Sequence, residues 1–299
     1  MLGLGVSQGL KLEQLKINGK EHVLFKTGDG KISVVDAVCP HRGAKLCKGR
    51  VKGNNIQCPY HGWEFDSDGE LVKVPSTNNI LCKANINSYP TVEDGGFIWS
   101  SKNRDNLPTK YCPELYDPNW VKVYGSKELR GTVLDWILNA TDISHINFVH
   151  NFADEDNGII TNTKIDMFDK YVDCRAVVQP KASSIFTKHM QPENGSEIHS
   201  RFVAPYTTII RIKLKDPYEF ITFSTLLPMD DKTTKMSWCM LYPKIPILNN
   251  PLVYKRFNNK MYDTVSQDEA IVKDVTQVPL NINAKCDIFQ LKALELLKV

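Results

Sequence analysis

The sequence predicts an α+β chain in two parts: an all-β domain over residues 1–104 and, over residues 105–299, a sheet packed against a long helix. Three observations lead there. Short β-type runs broken by glycine turns fill residues 10–100. Beyond residue 120, longer β-type runs follow one helical stretch and precede another. Between the two parts, Ser100 to Lys110 is polar, carries Pro108 and suits a linker.

In the first part the β-type runs are residues 22–25 and 32–35, set off by Asn18-Gly19 and Gly28-Asp29-Gly30. Residues 64–66 lead through Asp68-Gly69, a hairpin signal, into 71–75, and residues 96–99 close the domain. His22 lies inside a strand pattern and reads as structural or solvated. In the second part Leu134, Trp136, Ile137, Ala140, Ile143 and Ile146 recur at helical spacing and predict a helix over 132–150. β-type runs follow at 171–178, 183–190, 197–203, 207–214, 219–227 and 235–242, and a final helical region starts near Leu252 and runs to the end.

At 299 residues and 42% hydrophobic content the chain can bury one large core or two modest ones. The net charge is +3 with Lys and Arg scattered, so no basic stripe points to nucleic acid. The eight cysteines, at 39, 47, 58, 82, 112, 174, 239 and 286, lack the repeated spacing of a disulfide framework. The first residues turn polar too soon for a signal-peptide core, and no run of eighteen apolar residues offers a membrane span. The expected setting is a reducing cytoplasm.

The chemistry concentrates in Cys39-Pro40-His41-Arg42-Gly43-Ala44 and Cys58-Pro59-Tyr60-His61-Gly62-Trp63. The pattern is C-x-H, sixteen intervening residues, then C-x2-H, so each arm offers one thiolate and one imidazole. A tetrahedral zinc site more often pairs like with like. Mixed arms suit a two-iron cluster with both cysteines on one iron and both histidines on the other. The alternatives, a zinc knuckle or four unrelated residues, leave the two matched arms and the glycine after each unexplained. Gly43 and Gly62 allow close approach of backbone N–H groups to bridging sulfides, and Pro40 and Pro59 stiffen the loops.

A second constellation lies on the predicted helix: Asn139, Asp142, His145 and His150. Two imidazoles and a carboxylate with open positions are what non-haem Fe(II) needs. On a regular helix, Asp142 and His145 lie about 60° apart and His145 and His150 roughly 140° apart. For one ion to take both histidines, the helix must widen by a π-bulge or end before His150. The alternative is a polar helix face, which fits poorly among Ile143, Ile146, Phe148 and Val149. The carboxylate is expected far along the chain. Met261, Val265, Val272 and Val275 form an apolar helical stripe, and Asp268 falls within it, where a metal would offset its desolvation. Glu269, with Lys273 at i+4, reads as a surface ion pair, and Asp263 and Asp274, off the stripe, are fallbacks. His189 and His199 suit the lining or flank of a cavity. Phe148, Phe152, Phe202 and Trp238 suit a hydrophobic pocket or ordinary core packing.

The two-arm motif resembles that of Rieske-type non-haem iron oxygenases. The resemblance implies that Cys39 and Cys58 hold the inner iron of a [2Fe-2S] cluster and His41 and His61 the outer, more exposed one. High-potential respiratory Rieske proteins carry an extra cysteine in each loop. Ala44 here, and Pro59 and Tyr60 in the second loop, match the oxygenase and ferredoxin branch. The 139–150 segment is similar to that family's mononuclear-iron helix, with His145 and His150 in the ligand positions, Asp142 in that of a bridging aspartate and Asn139 in that of the preceding asparagine. Gln267-Asp268 before an apolar stretch resembles the C-terminal ligand segment.

Together these resemblances cover nearly the whole chain. They imply a Rieske domain followed by a catalytic domain of the helix-grip (START-like) fold with an antiparallel sheet. A ferredoxin or flavin reductase using NAD(P)H would feed the cluster, which would pass electrons to a mononuclear Fe(II) that activates O2 beside a small hydrophobic substrate. The implied assembly is a head-to-tail homotrimer, or a hexamer, in which Asp142 accepts hydrogen bonds from His145 and from His61 of the neighbouring copy. The single-chain form looks closest to the monooxygenases that demethylate or hydroxylate aromatic and alicyclic compounds. It also resembles relatives acting on steroids and chlorophyll breakdown products. The competing readings are a Rieske electron carrier with an appended ligand-binding domain and a redox-sensing lipid binder.

Overall fold

The computed structural model describes residues 1–77, 83–150, 160–178, 190, 192–246, 248–275 and 284–297. The chain divides into two compact units, residues 1–107 with 228–231, and residues 108–227 with 232–299.

The first unit is all β. Its strands are β1 (Leu2–Val6), β2 (Leu12–Ile17), β3 (Lys20–Lys26), β4 (Ile32–Asp36), β5 (Arg50–Lys52), β6 (Asn55–Gln57), β7 (Glu64–Phe65), β8 (Leu71–Lys73), β9 (Ser88–Tyr89), β10 (Thr91–Asp94) and β11 (Phe97–Ser100). They form three small sheets, ordered β1-β11-β10, β2-β3-β4-β9 and β5-β6-β7-β8. The expected hairpin at Asp68-Gly69 joins β7 and β8. Val23, Phe25 and Val35 from the second sheet share one core with Ile56 and Phe65 from the third, and Cys39 and Cys58 are buried in that same core. The two loops that carry the cysteines are therefore anchored from inside rather than held at the surface.

The second unit opens with β12 (Trp120–Arg130), then α1 (Val133–Thr141) and α2 (Ile146–Val149). β13 (Thr161–Met167), β14 (Tyr171–Val178), β15 (Ser196–Val203), β16 (Thr207–Lys213), β17 (Glu219–Pro228) and β18 (Thr233–Pro243) follow, then α3 (Pro251–Val272) and α4 (Ile288–Leu297). The strands make one antiparallel seven-stranded sheet ordered β12-β18-β17-β16-β15-β14-β13. One face of it is apolar. Cys174, Ala176, Ile198, Phe202, Met236 and Trp238 pack there with Trp136 and Ile137 of α1, Val265 and Val272 of α3, and Phe289 and Ala293 of α4. This is the expected helix against a sheet. Gly125 of β12 is glycine because Trp238 lies across it: a Cβ there would stand 2.6 Å from the indole ring.

Several expectations need correction. The predicted 132–150 helix stops at Thr141. Asp142 leaves helical geometry at φ −90°, ψ 114°, and its Oδ1 accepts hydrogen bonds from the Ser144 N–H (2.7 Å) and hydroxyl (2.5 Å). A short side chain that captures the backbone two residues on competes with the next helical bond. The final helical region, expected from near Leu252 onward, consists of two elements, α3 and α4. β12 and β13 lie where the sequence reading placed no strand, and the predicted 183–190 run lies almost wholly outside the described residues. Among the described residues no helix is long and apolar enough to cross a membrane.

Candidate metal centres

The two Cys/His loops of the first unit are built alike. In each, the cysteine N–H donates to the carbonyl five residues on, Cys39 to Ala44 at 2.9 Å and Cys58 to Trp63 at 2.8 Å. In each, the glycine N–H returns to the cysteine carbonyl, Gly43 at 3.0 Å and Gly62 at 3.2 Å. Both glycines are left-handed, φ +73° and +72°, a conformation that L side chains resist. That geometry, not only close approach, selects glycine: no protein atom lies within 4 Å of where a Gly43 Cβ would be.

Cys39 and Cys58 are 1% and 3% exposed. Burial pushes the Cys39 thiol up to about 11, and the adjoining Cys58 thiol adds to this against backbone N–H bonds from His41 and Arg42. A cation that takes the sulfur as thiolate would reverse that cost, and those N–H groups are already in place to support it. The imidazoles of His41, half-buried, and His61, exposed, lie 4.6 Å apart, with His41 stacked on Trp63 at 4.4 Å and His61 against Tyr60. His41 is held below the usual histidine range, by desolvation first and then by its charged neighbours, and its Nδ1 is buried without a hydrogen-bond partner. Two buried sulfurs beside two more exposed imidazoles fit a cluster whose irons differ in ligand type.

The second constellation gathers residues more than a hundred positions apart. His145 and His150 bracket α2 as its N- and C-caps, so the helix does end before His150, which is extended at φ −101°, ψ 130°. Their rings lie 5.3 Å apart. Both Nε2 atoms face one oxygen, Asp268 Oδ1, at 3.4 Å from His145 and 3.5 Å from His150. Donors sharing an ion at about 2.1 Å stand roughly 3–3.5 Å apart, so this spacing fits one metal ion. The three donor atoms lie within 4.8 Å of one another.

Asp268 is buried on α3 with Val265 and Val272, whereas Val275 lies past the helix end and is 55% exposed. Burial alone would lower His145, but the Asp268 hydrogen bond and charge, with Asp142, outweigh it and raise its pKa. In His150 burial prevails over the same carboxylate and lowers it.

Supporting contacts surround these donors. His150 Nδ1 meets Gln267 Oε1 at 3.1 Å. Asn139 Nδ2 donates to Asp268 Oδ1 at 3.3 Å. Asp142 Oδ2 is 3.8 Å from His145 Nδ1. The fallback aspartates, Asp263 and Asp274, are exposed. Glu269 does not pair with Lys273. It receives Lys127 Nζ at 2.8 Å and the Arg130 N–H at 3.0 Å, because the packing of α3 beside β12 offers a nearer cation than its own helix.

The remaining candidates fall elsewhere. His22 is buried, its Nδ1 3.0 Å from the Lys20 carbonyl and its ring edge-on to Tyr89. His199 lies on the sheet face opposite the apolar core, where it lines a cavity of about 360 Å³ with Arg175, Glu197, Arg211 and Lys213. Beside it, burial would raise Asp173, but two hydrogen bonds from Arg201 at 2.6 and 2.7 Å, with His199, hold its carboxyl down to about 2. Phe202 and Trp238 are core, Phe148 is 68% exposed, and Phe152 and His189 lie outside the described residues.

Comparison with known families decides the kinship. Residues 6–90 match the Rieske [2Fe-2S] domain, and residues 136–298, more than half of the chain, match the vanillate O-demethylase oxygenase C-terminal domain. The chain belongs to the Rieske-type oxygenases.

Among the relatives of this oxygenase, a probable 3-ketosteroid-9-alpha-monooxygenase oxygenase component of Rhodococcus rhodochrous is 34% identical over 148 residues. That match spans 47% of this chain and 37% of that protein. Cholesterol 7-desaturase of Xenopus laevis is 27% identical over 294 residues, 85% of this chain and 64% of that protein. The matches thus span less than two thirds of these curated relatives. Among solved structures, dicamba monooxygenase bound to 3,6-dichlorosalicylic acid superposes with a TM-score of 0.81 at 18% identity, over 99% of this chain and 96% of that one. A mutant of NdmA from Pseudomonas putida CBB5 with theobromine gives 0.74 at 20%, over 96% and 83%. At such identities the likeness is one of fold.

Sequence reasoning missed Gln267 as the partner of His150 and Asn139 as the partner of Asp268. Gln267 adjoins Asp268 and Asn139 lies on the helix leading to His145, but which polar side chain turns inward is decided by packing.

Proposed function

We propose that the protein takes electrons from a ferredoxin or flavin reductase into a [2Fe-2S] cluster held by Cys39, His41, Cys58 and His61. It then uses them with O2 at an Fe(II) held by His145, His150 and Asp268 to hydroxylate, demethylate or desaturate a small hydrophobic substrate. The observation that carries this reading is the meeting of both imidazoles on one Asp268 oxygen, in a chain whose front carries the Cys/His loops. An electron carrier would have no use for that second set, and family membership favours the oxygenase. The names of two relatives, a ketosteroid monooxygenase and a cholesterol desaturase, favour an alicyclic or sterol-like skeleton alongside an aromatic one.

When bound, the cluster supplies single electrons and the iron a place for O2 to be reduced beside the substrate. The chain's own groups prepare that place. Gln267 accepts the Nδ1 proton of His150 and so leaves its Nε2 lone pair bare toward Asp268. Asn139 steadies the Asp268 oxygen that both imidazoles face. Asp142, fixed by Ser144, keeps negative charge beside His145 Nδ1 and favours the proton there, freeing Nε2. In the head-to-tail trimer that we also propose, Asp142 would accept from His61 of a neighbouring copy and tie the imidazoles of the two centres together. The free thiols among the described residues suit a reducing cytoplasm.

Iron analysis tests the reading: three irons per chain are expected, whereas a carrier would hold two. Anaerobic reduction by a surrogate reductase, then O2 with a panel of aromatic and sterol-like compounds, should give products shifted in mass. Two irons, or three without any product, would count against it.

A further inference from the structure

Asn147 lies in α2, two residues after His145 and three before His150. It is 3% exposed, and both Nδ2 and Oδ1 are buried without a hydrogen-bond partner. A buried amide with neither end satisfied is costly, and native proteins keep few of them without a use. Nothing in the local fold asks for an amide here. Phe148 takes the solvent side of the turn, and Ile146 packs on the apolar core. Residues three apart on a helix share a face, and the His150 N–H still bonds to the Ile146 carbonyl, so the turn persists to His150. Asn147 therefore stands on the side of α2 that carries His150.

The core on which α2 packs through Ile146 is an apolar surface with few polar points. Ser200 faces it between Ile198 and Phe202, and Ser200 Oγ and Trp238 Nε1 are likewise buried without partners. Arg175, Arg201 and Arg211 point to the opposite sheet face. On the helix side Lys127, opposite Met236, is committed to Glu269.

We infer that Asn147 reads a hydroxyl group of the substrate, which makes the substrate a neutral alcohol or phenol on an apolar skeleton. This rests on the oxygenase reading above and narrows it. A hydroxyl can take a hydrogen bond from Nδ2 and give one to Oδ1. A ketone leaves Oδ1 unpaired, and a hydrocarbon leaves both ends unpaired. A carboxylate would bring a buried charge to an apolar surface whose Lys127 is already committed to Glu269. A site built to bond a hydroxyl rejects the analogue that lacks it.

The test uses iron-loaded protein under anaerobic conditions, titrated with 2-naphthol, naphthalene and 2-naphthoate, and with cholesterol and cholestane in a cyclodextrin carrier. Tryptophan fluorescence reads the dissociation constants. In at least one series the hydroxyl compound should bind about tenfold tighter than its partners. Asn147→Leu should bring that ratio within about twofold, while Asn147→Ser, which keeps a donor and an acceptor, retains part of it. Iron content and cluster absorption should be unchanged in both, and Asn147→Ala serves should leucine prevent folding. A preference that survives Asn147→Leu, or a wild type with no hydroxyl preference, overturns the inference. Fewer than three irons in the wild type strikes the oxygenase reading instead, whereas three irons without hydroxyl preference strike this inference alone.

Discussion

Replacing Gln267 by Leu probes the mononuclear centre without touching a proposed ligand. The His150 side chain is 5% exposed, and its Nδ1 meets Gln267 Oε1 at 3.1 Å. Losing a partner for a group so buried costs about 1–3 kcal/mol. At about 1.4 kcal/mol per decade, that is roughly five- to 150-fold in affinity. Outer partners of metal-binding histidines lie in the same range, about 10–100-fold. The expected result is therefore a 10–100-fold weaker site for Fe(II), with the cluster intact. The assay is calorimetric titration of Fe(II) into protein stripped of its mononuclear iron by mild chelation, with visible absorption reporting the cluster. Gln267→Glu, which keeps an acceptor, should lose less. Unchanged affinity in Gln267→Leu would refute the claim that this contact orients the imidazole.

Three further outcomes are expected. Asp142→Asn should leave both metal sites filled and nearly abolish turnover; normal product formation would remove Asp142 from any bridging role. Gly62→Ala must place a Cβ at φ +72°, 3.1 Å from Pro75 Cγ, and should cost about 1–2 kcal/mol, read as a lower melting point followed at the cluster absorption band; an unchanged melt would show the loop can relax. Asp173 is depressed from 3.8 to about 2, so its contribution is full above about pH 4 and is lost as pH falls toward 2. With solvent screening allowed for, that is on the order of 1–2 kcal/mol. Asp173→Asn should flatten this stretch of the acid-unfolding curve, and an unaltered slope would refute the assignment.

What could be read from the sequence was what is local. Cys39 with His41, and Cys58 with His61, each lie within one short loop, so spacing alone exposes the donor set. Asp268 stands out because it interrupts an apolar stripe, and the structure buries it with Val265 and Val272. The break after Thr141 left a fainter trace, an aspartate two residues before a serine, which competes with helix only when the side chain turns back. β12 was missed because its inward positions include Gly125 and Lys127, which blur the alternation of a strand. Both are explained only by distant partners, Trp238 and Glu269. The Glu269–Lys273 expectation failed for the same reason. Helical spacing lists neighbours along one element and cannot see a lysine arriving from a strand.

The matched turns around Cys39 and Cys58 have a consequence for how such a clasp can vary. Their backbone frame is the same, cysteine, proline, two open places, then a left-handed glycine, yet the imidazole occupies the first open place in one and the second in the other. The hydrogen bonds that shape each turn involve neither histidine side chain. Scaffold and grip are thus separable. The frame tolerates exchange at its two middle places, and which of them bears the imidazole sets the angle from which that arm would reach a shared metal centre.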